Sequence, residues 1–415
     1  MCTMMKNVCK RRGGTDNATM RCRLLVALAV AAVALGACND DDAPAPTVTQ
    51  NTAVMIKDEA KREMIYSLRD LEGNRGRIYE MTYNVDYKLD EALNFGIDCT
   101  DRLKTFVALN LMDTIITGKK VKLSYDAGCS AFACPDGKSG HHLMGRNFDF
   151  NHINPVTQER DMIPVIVVHT APEGGKKSVS FVDGKFVDYK SGFYTDGTSD
   201  LSMLMALPYL LLDGINEDGF AVSVLKLDGL PTLQQEPGKK KTFTTVAMRM
   251  MLDRAGTVKE ALAMLEQYNM CMDKDTASYH FFMADATGDY AIVEYTNDNL
   301  SEHPYRMEVL TGHDTLRYVT NFYVSPTMAD TEHGSKYSQH GKNRYDILKR
   351  ELGGYGYRLT PTQAMAVLDS VAQGPEDSQL STGFTQWSEV YNLSKRRVAM
   401  TILREWGKQF EFGVE

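Results

Sequence analysis

A segment with the chemistry of a β-hairpin constrains the fold of this chain more than any other part of its sequence. Residues 122–134 (KLSYDAGCSAFAC) form a β-prone run rich in small residues, residues 135–140 (PDGKSG) are turn formers, and residues 141–150 (HHLMGRNFDF) return as a second β-prone run. Turn residues between two such runs indicate an antiparallel strand pair. The pairing is expected to bring a cysteine, an arginine and an aspartate to one end of the hairpin.

The rest of the sequence predicts more strands of this kind, grouped in pairs, with helices between the groups. A capping box at Thr257 and Glu260 begins one helix, and Thr360 followed by Pro361 begins another. Antiparallel pairs with intervening helices predict an α+β layered protein. The segments concerned are strands at 162–170, 177–184, 220–227, 279–285, 290–296, 397–405 and 408–413, and helices at 54–74, 244–254, 258–267 and from 361.

Composition excludes two broad classes of protein. The chain has 415 residues, 43% hydrophobic and 24% charged, which is typical of a globular protein of one large or two average domains. Lys and Arg number 46 against 54 Asp and Glu. We expect no nucleic-acid partner, because binding to a phosphate backbone requires a basic excess. The apolar run at 24–37 is shorter than the roughly 20 residues of a membrane-spanning helix, so a mostly membrane-embedded protein is excluded.

The same apolar run is typical of a secretory signal. It follows Arg21 and Arg23 and ends in Leu-Gly-Ala before Cys38. This ending resembles the bacterial lipobox, whose cysteine receives lipid and becomes the first mature residue. Residues 1–37 are therefore predicted to be a lipoprotein signal peptide, and the complete signal that begins at Met20 makes Met20 a second candidate for the true start.

The residues after Cys38 extend this prediction. The acidic run at 39–42 resembles the export signal of surface lipoproteins in Bacteroidetes. We expect an exported protein, anchored to the outer membrane through lipid on Cys38 and facing either the periplasm or the cell surface. Residues 38–53 are acidic, rich in Pro and Thr and without aromatic residues, which predicts a disordered tether.

Four cysteines remain after the leader and Cys38: Cys99, Cys129, Cys134 and Cys271. None has CxxC or Cys/His spacing, and the pair at 141–142 (His-His) lacks a third ligand, so we predict no metal site. A thiol beside a guanidinium gains thiolate character, because the positive charge favours the ionised form. Residue types alone leave two interpretations of Cys129 open: a reactive thiol, or a buried strand cysteine near a surface ion pair.

A family resemblance favours the first interpretation. The stretch from Cys129 to Asp149 resembles the start of the mature chain in the choloylglycine hydrolase and penicillin V acylase family, the linear amide C–N hydrolases. The long segment before it is similar to that of the N-acylethanolamine acid amidase and acid ceramidase group. Four further motifs of the family follow in the right order, covering the chain to about residue 412: 213–219 (DGINEDG), 319–321 (VTN), 343–345 (NRY) and 385–387 (TQW).

The resemblance implies an αββα sandwich of the N-terminal-nucleophile hydrolases, whose precursor cleaves itself just before the cysteine. The cut would fall between Gly128 and Cys129, making 54–128 a pro-segment and 129–415 the catalytic domain. The α-amine of the new terminus would act as general base, which suits an amine with an intrinsic pKa of about 8. Whether the pro-segment stays bound after cleavage is left open by the sequence.

The resemblance also implies a role for each site residue, and no metal or organic cofactor. Cys129 would be the nucleophile, and Asp149 would hold the new amine. Arg146 would lie against the thiol and the substrate, while Asn321 would donate its side-chain amide to the oxyanion. Arg344 would complete the polar network.

One position departs from the family pattern. Residues 224–227 read Val-Leu-Lys-Leu where bile-salt and penicillin V enzymes carry a second asparagine. Lys226 is either an oxyanion donor or a surface charge. The departure weakens a bile-salt or penicillin assignment more than it weakens the general chemistry.

The substrate prediction also draws on the apolar stretch 201–212 (LSMLMALPYLLL), which is either a buried core helix or part of an acyl-chain pocket. With the long pro-segment, it favours N-acyl lipids or N-acyl amino acids over bile salts. The expected function is an exported lipoprotein amidohydrolase acting on a small-molecule N-acyl amide. The alternatives are bile-salt or penicillin V hydrolysis, acyl transfer, and a surface lipoprotein that binds acylated ligands without cleaving them.

Overall fold

A computed structural model describes residues 56–112, 127–154, 156–229, 231–272, 278–297, 305–312, 317–374 and 383–414. The predicted signal peptide, lipidation site and tether lie outside these ranges. In the part of the chain that is described, no helix combines the length and apolar character needed to cross a membrane.

Two large sheets dominate the described residues. The first contains nine strands in the spatial order β1 (Arg69–Asp70), β2 (Ile78–Tyr83), β5 (Val165–Thr170), β6 (Ser178–Asp183), β7 (Asp213–Asn216), β8 (Ala221–Leu227), β11 (Ser278–Ala284), β12 (Tyr290–Thr296) and β13 (Arg306–Leu310). The second contains six, in the order β14 (Tyr318–Val319), β3 (Ala127–Pro135), β4 (His142–Phe150), β15 (Phe384–Asn392), β16 (Arg397–Ile402) and β17 (Phe410–Gly413). A small parallel pair joins β9 (Lys240–Phe243) and β10 (Tyr268–Cys271).

Helices cover both outer faces of the two sheets. The described α-helices are α1 (Glu59–Tyr66), α2 (Leu89–Phe95), α3 (Thr100–Asn110), α4 (Thr244–Arg254), α5 (Val258–Leu265), α6 (Lys342–Gly354) and α7 (Pro361–Ser370). Short 3₁₀ helices span Gly184–Val187, Leu201–Tyr209, Pro326–Met328 and Leu393–Lys395. Strand β3 faces β8 and β11 across the interior, α4 packs on β7 and β8, and α7 packs on β4 and β15. This layering is an αββα sandwich, which confirms the predicted α+β class.

The hairpin predicted around Cys129 is present. Strands β3 and β4 pair antiparallel from Ala127 opposite Phe150 to Pro135 opposite His142. Gly145 lies opposite Phe132, and a Cβ at Gly145 would lie 2.3 Å from Cζ of that ring. Only glycine therefore lets the Phe132 ring cross to the neighbouring strand.

Local capping explains why two helices begin where the sequence predicts. Thr360 caps α7 with the reciprocal Gln363 bonds of a capping box, and Pro361 takes the first helical position. Thr257 caps α5 by accepting from the backbone N–H of Glu260. The Glu260 carboxylate accepts from the backbone N–H of Gly256 instead of that of Thr257, so the reciprocal bond of the predicted capping box is replaced by this one.

Two predicted helices differ from the structure. The helix expected over 54–74 is confined to α1, because the Asp70 carboxylate accepts bonds from the backbone N–H groups of Glu72, Asn74 and Gly76 and closes a turn there. The apolar stretch 201–212 forms a 3₁₀ helix with Pro208 inside it. That helix is buried and packs against α1, α4 and β5, so the stretch belongs to the core.

The described part of the segment before Cys129 is integral to the sandwich. Strand β2 pairs in parallel with β5 over six residues, from Ile78 opposite Val165 to Tyr83 opposite Thr170. The described residues all belong to one compact unit. Nothing in the sequence indicated that this strand enters the sheet.

Candidate active site

Cys129 is held at both ends of its backbone by side chains from distant parts of the chain. Its N–H donates to Oδ1 of Asn321 at 2.7 Å, and its carbonyl accepts from Nη1 of Arg344. The residue lies on β3 opposite Phe148 and is 1% exposed. The position of this thiol is therefore fixed by a network that joins three of the predicted site residues.

Arg344 reaches this network from the first turn of α6. Its Nη1 also donates to Oγ of Ser130 at 3.0 Å, and its Nη2 donates to Oδ1 of Asn321 at 2.6 Å. The residue that caps this helix at its N-terminus is Gly341, whose carbonyl accepts a 3.0 Å bond from Oγ1 of Thr320. Arg344 is thus part of a buried polar network with Cys129, Ser130 and Asn321.

Asn321 is positioned by a buried histidine–glutamate pair that the sequence did not reveal. Nε2 of His280 lies 3.0 Å from the carbonyl oxygen of Thr320, and Nδ1 lies 3.1 Å from Oε1 of Glu294. The Glu294 carboxylate also accepts from the backbone N–H groups of Val324 and Ser325. These bonds fix the turn that carries Asn321.

The amide of Asn321 has two hydrogens, and one of them is used within the protein. Its Nδ2 donates to the carbonyl oxygen of Lys226 at 2.8 Å. The other hydrogen is what the predicted oxyanion role requires. The Lys226 ammonium forms an ion pair with Asp228, with 3.3 Å between Nζ and Oδ1, so it is the backbone of Lys226 that meets Asn321 in this structure.

Asp149 lies on the other side of the Gly128–Cys129 bond. It pairs with Gly128 across the hairpin, and its carboxylate accepts from Thr385 at 2.5 Å and from Gln373 at 2.7 Å. Burial raises the pKa of Asp149, and the nearby Arg344 charge opposes that rise. The carboxylate is therefore close to the nitrogen that cleavage would convert into an amine.

Gly128 has no room for a side chain. A Cβ at this position would lie 2.2 Å from Nε2 of Gln373, 3.2 Å from Nη2 of Arg344 and 3.3 Å from Oδ2 of Asp149. The bond that precedes Cys129 is thus enclosed by one amide, one guanidinium and one carboxylate.

Arg146 interacts with Cys129 from the neighbouring strand β4 and is completely buried. Its Nε donates to Oδ2 of Asp213 at 3.0 Å, and its Nη2 donates to the carbonyl oxygen of Val224 at 2.9 Å. Burial lowers the pKa of Arg146, but its interactions with Cys129 and Asp213 more than compensate, so the net shift is upward. The guanidinium therefore stays charged beside Cys129.

A second carboxyl group, that of Glu389, and the phenol of Tyr391 lie behind Arg146. The hydroxyl of Tyr391 lies 2.8 Å from Oε2 of Glu389 and 3.2 Å from Oδ1 of Asp213. Burial, together with the charge of Asp213, raises the pKa of Glu389 well above its ordinary range. Asp213 lies in the 213–219 motif, for which the sequence suggested no individual role. Nothing in the sequence pointed to Glu389 or Tyr391 as part of the site.

The other described cysteines lack this environment. Burial raises the pKa of Cys134 to about 12 and that of Cys271 to about 11, which disfavours the thiolate of both. Cys99 lies at the N-terminal end of α3, away from the hairpin. Among the described residues, no group of three or more His, Cys, Asp or Glu side chains is arranged to hold a metal ion.

A comparison with known proteins identifies the family of the chain. The chain matches the family model "linear amide C–N hydrolases, choloylglycine hydrolase family" over residues 129–350, a match that begins at Cys129 itself. The protein belongs to this family of amide-bond hydrolases.

Individual proteins match this chain over a shorter stretch or at low sequence identity. The chain is 32% identical over 114 residues to a penicillin V acylase of Pectobacterium atrosepticum, and that match covers 25% of this chain and 30% of the relative. A variant of the conjugated bile acid hydrolase from Clostridium perfringens is similar over 69% of this chain and 92% of its own, at 13% identity and a TM-score of 0.46. Penicillin V acylase from Agrobacterium tumefaciens is similar over 66% and 83%, at 18% identity and a TM-score of 0.42.

Proposed function

We propose that this chain is a precursor that cleaves its own Gly128–Cys129 bond and then hydrolyses linear amides of N-acyl compounds with the new N-terminal cysteine. The observation that carries the proposal is the convergence on Cys129. Asn321 and Arg344 hold its backbone, and Arg146 faces its thiol. Asp149 lies by the bond to be cut.

The environment of Gly128 supports self-cleavage. The Cys129 thiol would attack the Gly128 carbonyl carbon, and the C–N bond would break as the nitrogen takes up the thiol proton, leaving a thioester. Water would then hydrolyse the thioester, giving a carboxylate on Gly128 and restoring the thiol. Cleavage is the activating step, because the nitrogen of Cys129 is an amide until then and accepts no proton.

The same groups suit the reaction on an external amide. The thiol attacks the substrate carbonyl, the α-amine takes the thiol proton and passes it to the leaving amine, and water hydrolyses the resulting thioester. The second amide hydrogen of Asn321 would bind the oxyanion, a contact typically worth about 3–4 kcal/mol of the barrier. Arg146 would favour the thiolate, and Asp149 would orient the amine.

For the acyl and amine groups, we propose fatty amides or N-acyl amino acids. The predicted pro-segment, whose described part contributes α1 to α3, β1 and β2, supports this choice because its sequence resembles that of the N-acylethanolamine acid amidase and acid ceramidase group. The apolar stretch 201–212 gives no support, because it is part of the core. The sequence match to a penicillin V acylase favours penicillin V as the rival substrate.

The test is turnover of N-acylethanolamines, N-acyl amino acids, conjugated bile salts and penicillin V by the purified processed protein, with Cys129→Ala as the control. Faster release of amine from the first two classes supports the proposal. Faster cleavage of penicillin V or bile salts would overturn the substrate preference. Acyl transfer would appear as a new amide when a second amine is added, and binding without turnover would indicate a non-enzymatic lipoprotein.

We also propose that the pro-segment stays bound after cleavage. Three kinds of contact support this: the parallel pairing of β2 with β5, a 2.6 Å bond from the Tyr87 hydroxyl to Asp253, and ion pairs from Arg77 to Glu405 and from Lys408 to Glu72. All of them join residues on opposite sides of the cut. Co-elution of the two chains in high salt is the expected result.

Export and anchoring form a separate proposal that rests on the leader sequence. Lipid on Cys38 would hold the pro-segment at the outer membrane, and the pro-segment would hold the catalytic chain without a covalent bond. The test is incorporation of an alkyne-labelled fatty acid in a bacterial host, compared with Cys38→Ala. Protease treatment of intact cells would then distinguish surface exposure from the periplasmic side.

A further inference from the structure

Two carboxyl groups that lie behind Arg146 have no role in the mechanism proposed above. Asp213 comes from β7 in the nine-stranded sheet, and Glu389 comes from β15 in the six-stranded sheet, directly opposite Arg146 on β4. All three side chains are fully buried. Two acids and one guanidinium are therefore packed together in the interior, out of contact with the surface and next to Cys129.

The hydrogen bonds of this cluster assign different roles to the two acids. Asp213 takes the Arg146 Nε–H at 3.0 Å, so it is the carboxylate that balances the guanidinium. Oε2 of Glu389 lies 2.8 Å from the Tyr391 hydroxyl, while its Oε1 is buried and meets no donor among the described residues. An ionised Glu389 would leave one charged oxygen without compensation, at high cost in a dry interior.

Proton counting leads to the same assignment. Glu389 and Asp213 lie within hydrogen-bonding reach of each other, and two ionised carboxylates could only repel across such a contact. Tyr391 has a single hydroxyl hydrogen for two carboxyl neighbours. A proton on Glu389 resolves both conflicts, because the acid can then donate to Asp213. Burial and the Asp213 charge both raise the pKa of Glu389, which also favours the protonated acid.

We propose that Glu389 is a positioning residue that works as a neutral acid, holding Asp213 in the orientation that keeps the Arg146 guanidinium against the Cys129 thiol. This inference rests on the proposed role of Cys129. Neutrality is the essential property, because a second negative charge would offset the positive charge that Arg146 presents to Cys129. Glu389 acts through Asp213 and Arg146 and needs no contact with substrate.

The test compares Glu389→Gln, which keeps the shape without the acid, with Glu389→Leu, which removes the polar contacts. We expect Glu389→Gln to keep self-cleavage and kcat within about 3-fold of the original chain. Glu389→Leu is expected to lose about 100-fold in kcat at an unchanged KM. Equal damage in both variants would show that the carboxylate charge is required, and full activity in Glu389→Leu would show that the residue has no role; either overturns the proposal.

A second readout separates positioning from a purely structural role. The rate of Cys129 alkylation by iodoacetamide, located by peptide mass, reports the thiolate fraction at pH 7 relative to pH 10. Glu389→Leu should lower this ratio about 10-fold, and Glu389→Gln should leave it unchanged. An unchanged ratio in Glu389→Leu would overturn the proposal. Since alkylation does not require turnover, this result is informative even if the parent protein hydrolyses no amide, an outcome that would refute the proposed function instead.

A matched pair of tyrosine variants supplies the control. Tyr391→Phe removes the hydroxyl that bridges the two acids, and we expect a 3- to 10-fold loss of kcat. Tyr295→Phe removes an equally buried hydroxyl that has no hydrogen-bond partner among the described residues, and we expect no loss. Equal effects of the two variants would contradict the proposal.

Discussion

Replacing Gly128 with alanine tests the geometry of the proposed cleavage site with the smallest possible change. The new Cβ would lie 2.2 Å from Nε2 of Gln373, so one of the two groups must move. The end of the Gln373 side chain moves most easily, and in doing so it gives up its 2.7 Å bond to Asp149. A hydrogen bond to a charged group is worth about 1.5–3 kcal/mol. Self-cleavage should therefore slow by roughly 10- to 100-fold.

The assay is a time course of precursor conversion, followed by intact mass, with the unfolding midpoint as the check on folding. Gln373→Ala and the double variant complete a double-mutant cycle. If the clash acts through Gln373, the double variant will be no slower than Gln373→Ala alone, because the two changes disrupt the same contact. Gly137→Ala is the matched control, since its Cβ would meet atoms of Arg358 only at ordinary contact distances of 3.6–3.8 Å.

Cleavage of Gly128→Ala at the parental rate would refute this reasoning. Additive losses in the double variant would also refute it, because they would show that the alanine acts on something other than Gln373.

Three further predictions follow from the structure. Asp149→Asn should raise the free energy of unfolding in urea at pH 7, because a buried carboxyl with a raised pKa costs stability at pH values above its ordinary 3.8. The same variant should abolish self-cleavage, and a lower free energy of unfolding at pH 7 would contradict the prediction. Arg77 lowers the pKa of Glu405 below its ordinary 4.5, so the stability from this ion pair is present above pH 4.5 and is lost as the pH falls through the lowered value. The two processed chains should therefore separate more readily on gel filtration at pH 3 than at pH 7, and equal co-elution at both pH values would contradict this prediction. Leu207→Ala should cost about 2–5 kcal/mol of unfolding free energy and leave KM for long acyl substrates unchanged, whereas a higher KM at unchanged stability would indicate an acyl pocket.

The local parts of this fold could be predicted because they depend on residues close together in sequence. Turn formers at 135–140 were enough to predict the β3–β4 hairpin, and with it the placement of Cys129, Arg146 and Asp149. The caps at Thr257 and Thr360 were likewise visible as side chains three residues from their backbone partners. Asn321 and Arg344 came from family motifs, since nothing local distinguishes them from surface residues.

The remaining parts depend on contacts between distant residues. The parallel pairing of β2 with β5 leaves no mark in either strand, because β2 (IYEMTY) mixes polar and apolar residues, β5 (VIVVHT) is mostly apolar, and neither pattern identifies a partner strand. Glu389 lies between Ser388 and Val390, and one charged residue in an otherwise buried strand does not reveal which group it faces. Gln373 follows α7 and touches Asp149 only because α7 packs on β4 and β15. The support behind the site therefore emerged from the packing of the sandwich.

The central claim is that Cys129 becomes a chain terminus through its own chemistry. Intact mass and N-terminal sequencing of the purified protein, beside Cys129→Ala, test it most directly. The account predicts a new chain that begins Cys-Ser-Ala-Phe in the parent and is absent from the variant. A single uncut chain in both, at neutral and at acidic pH, would contradict it.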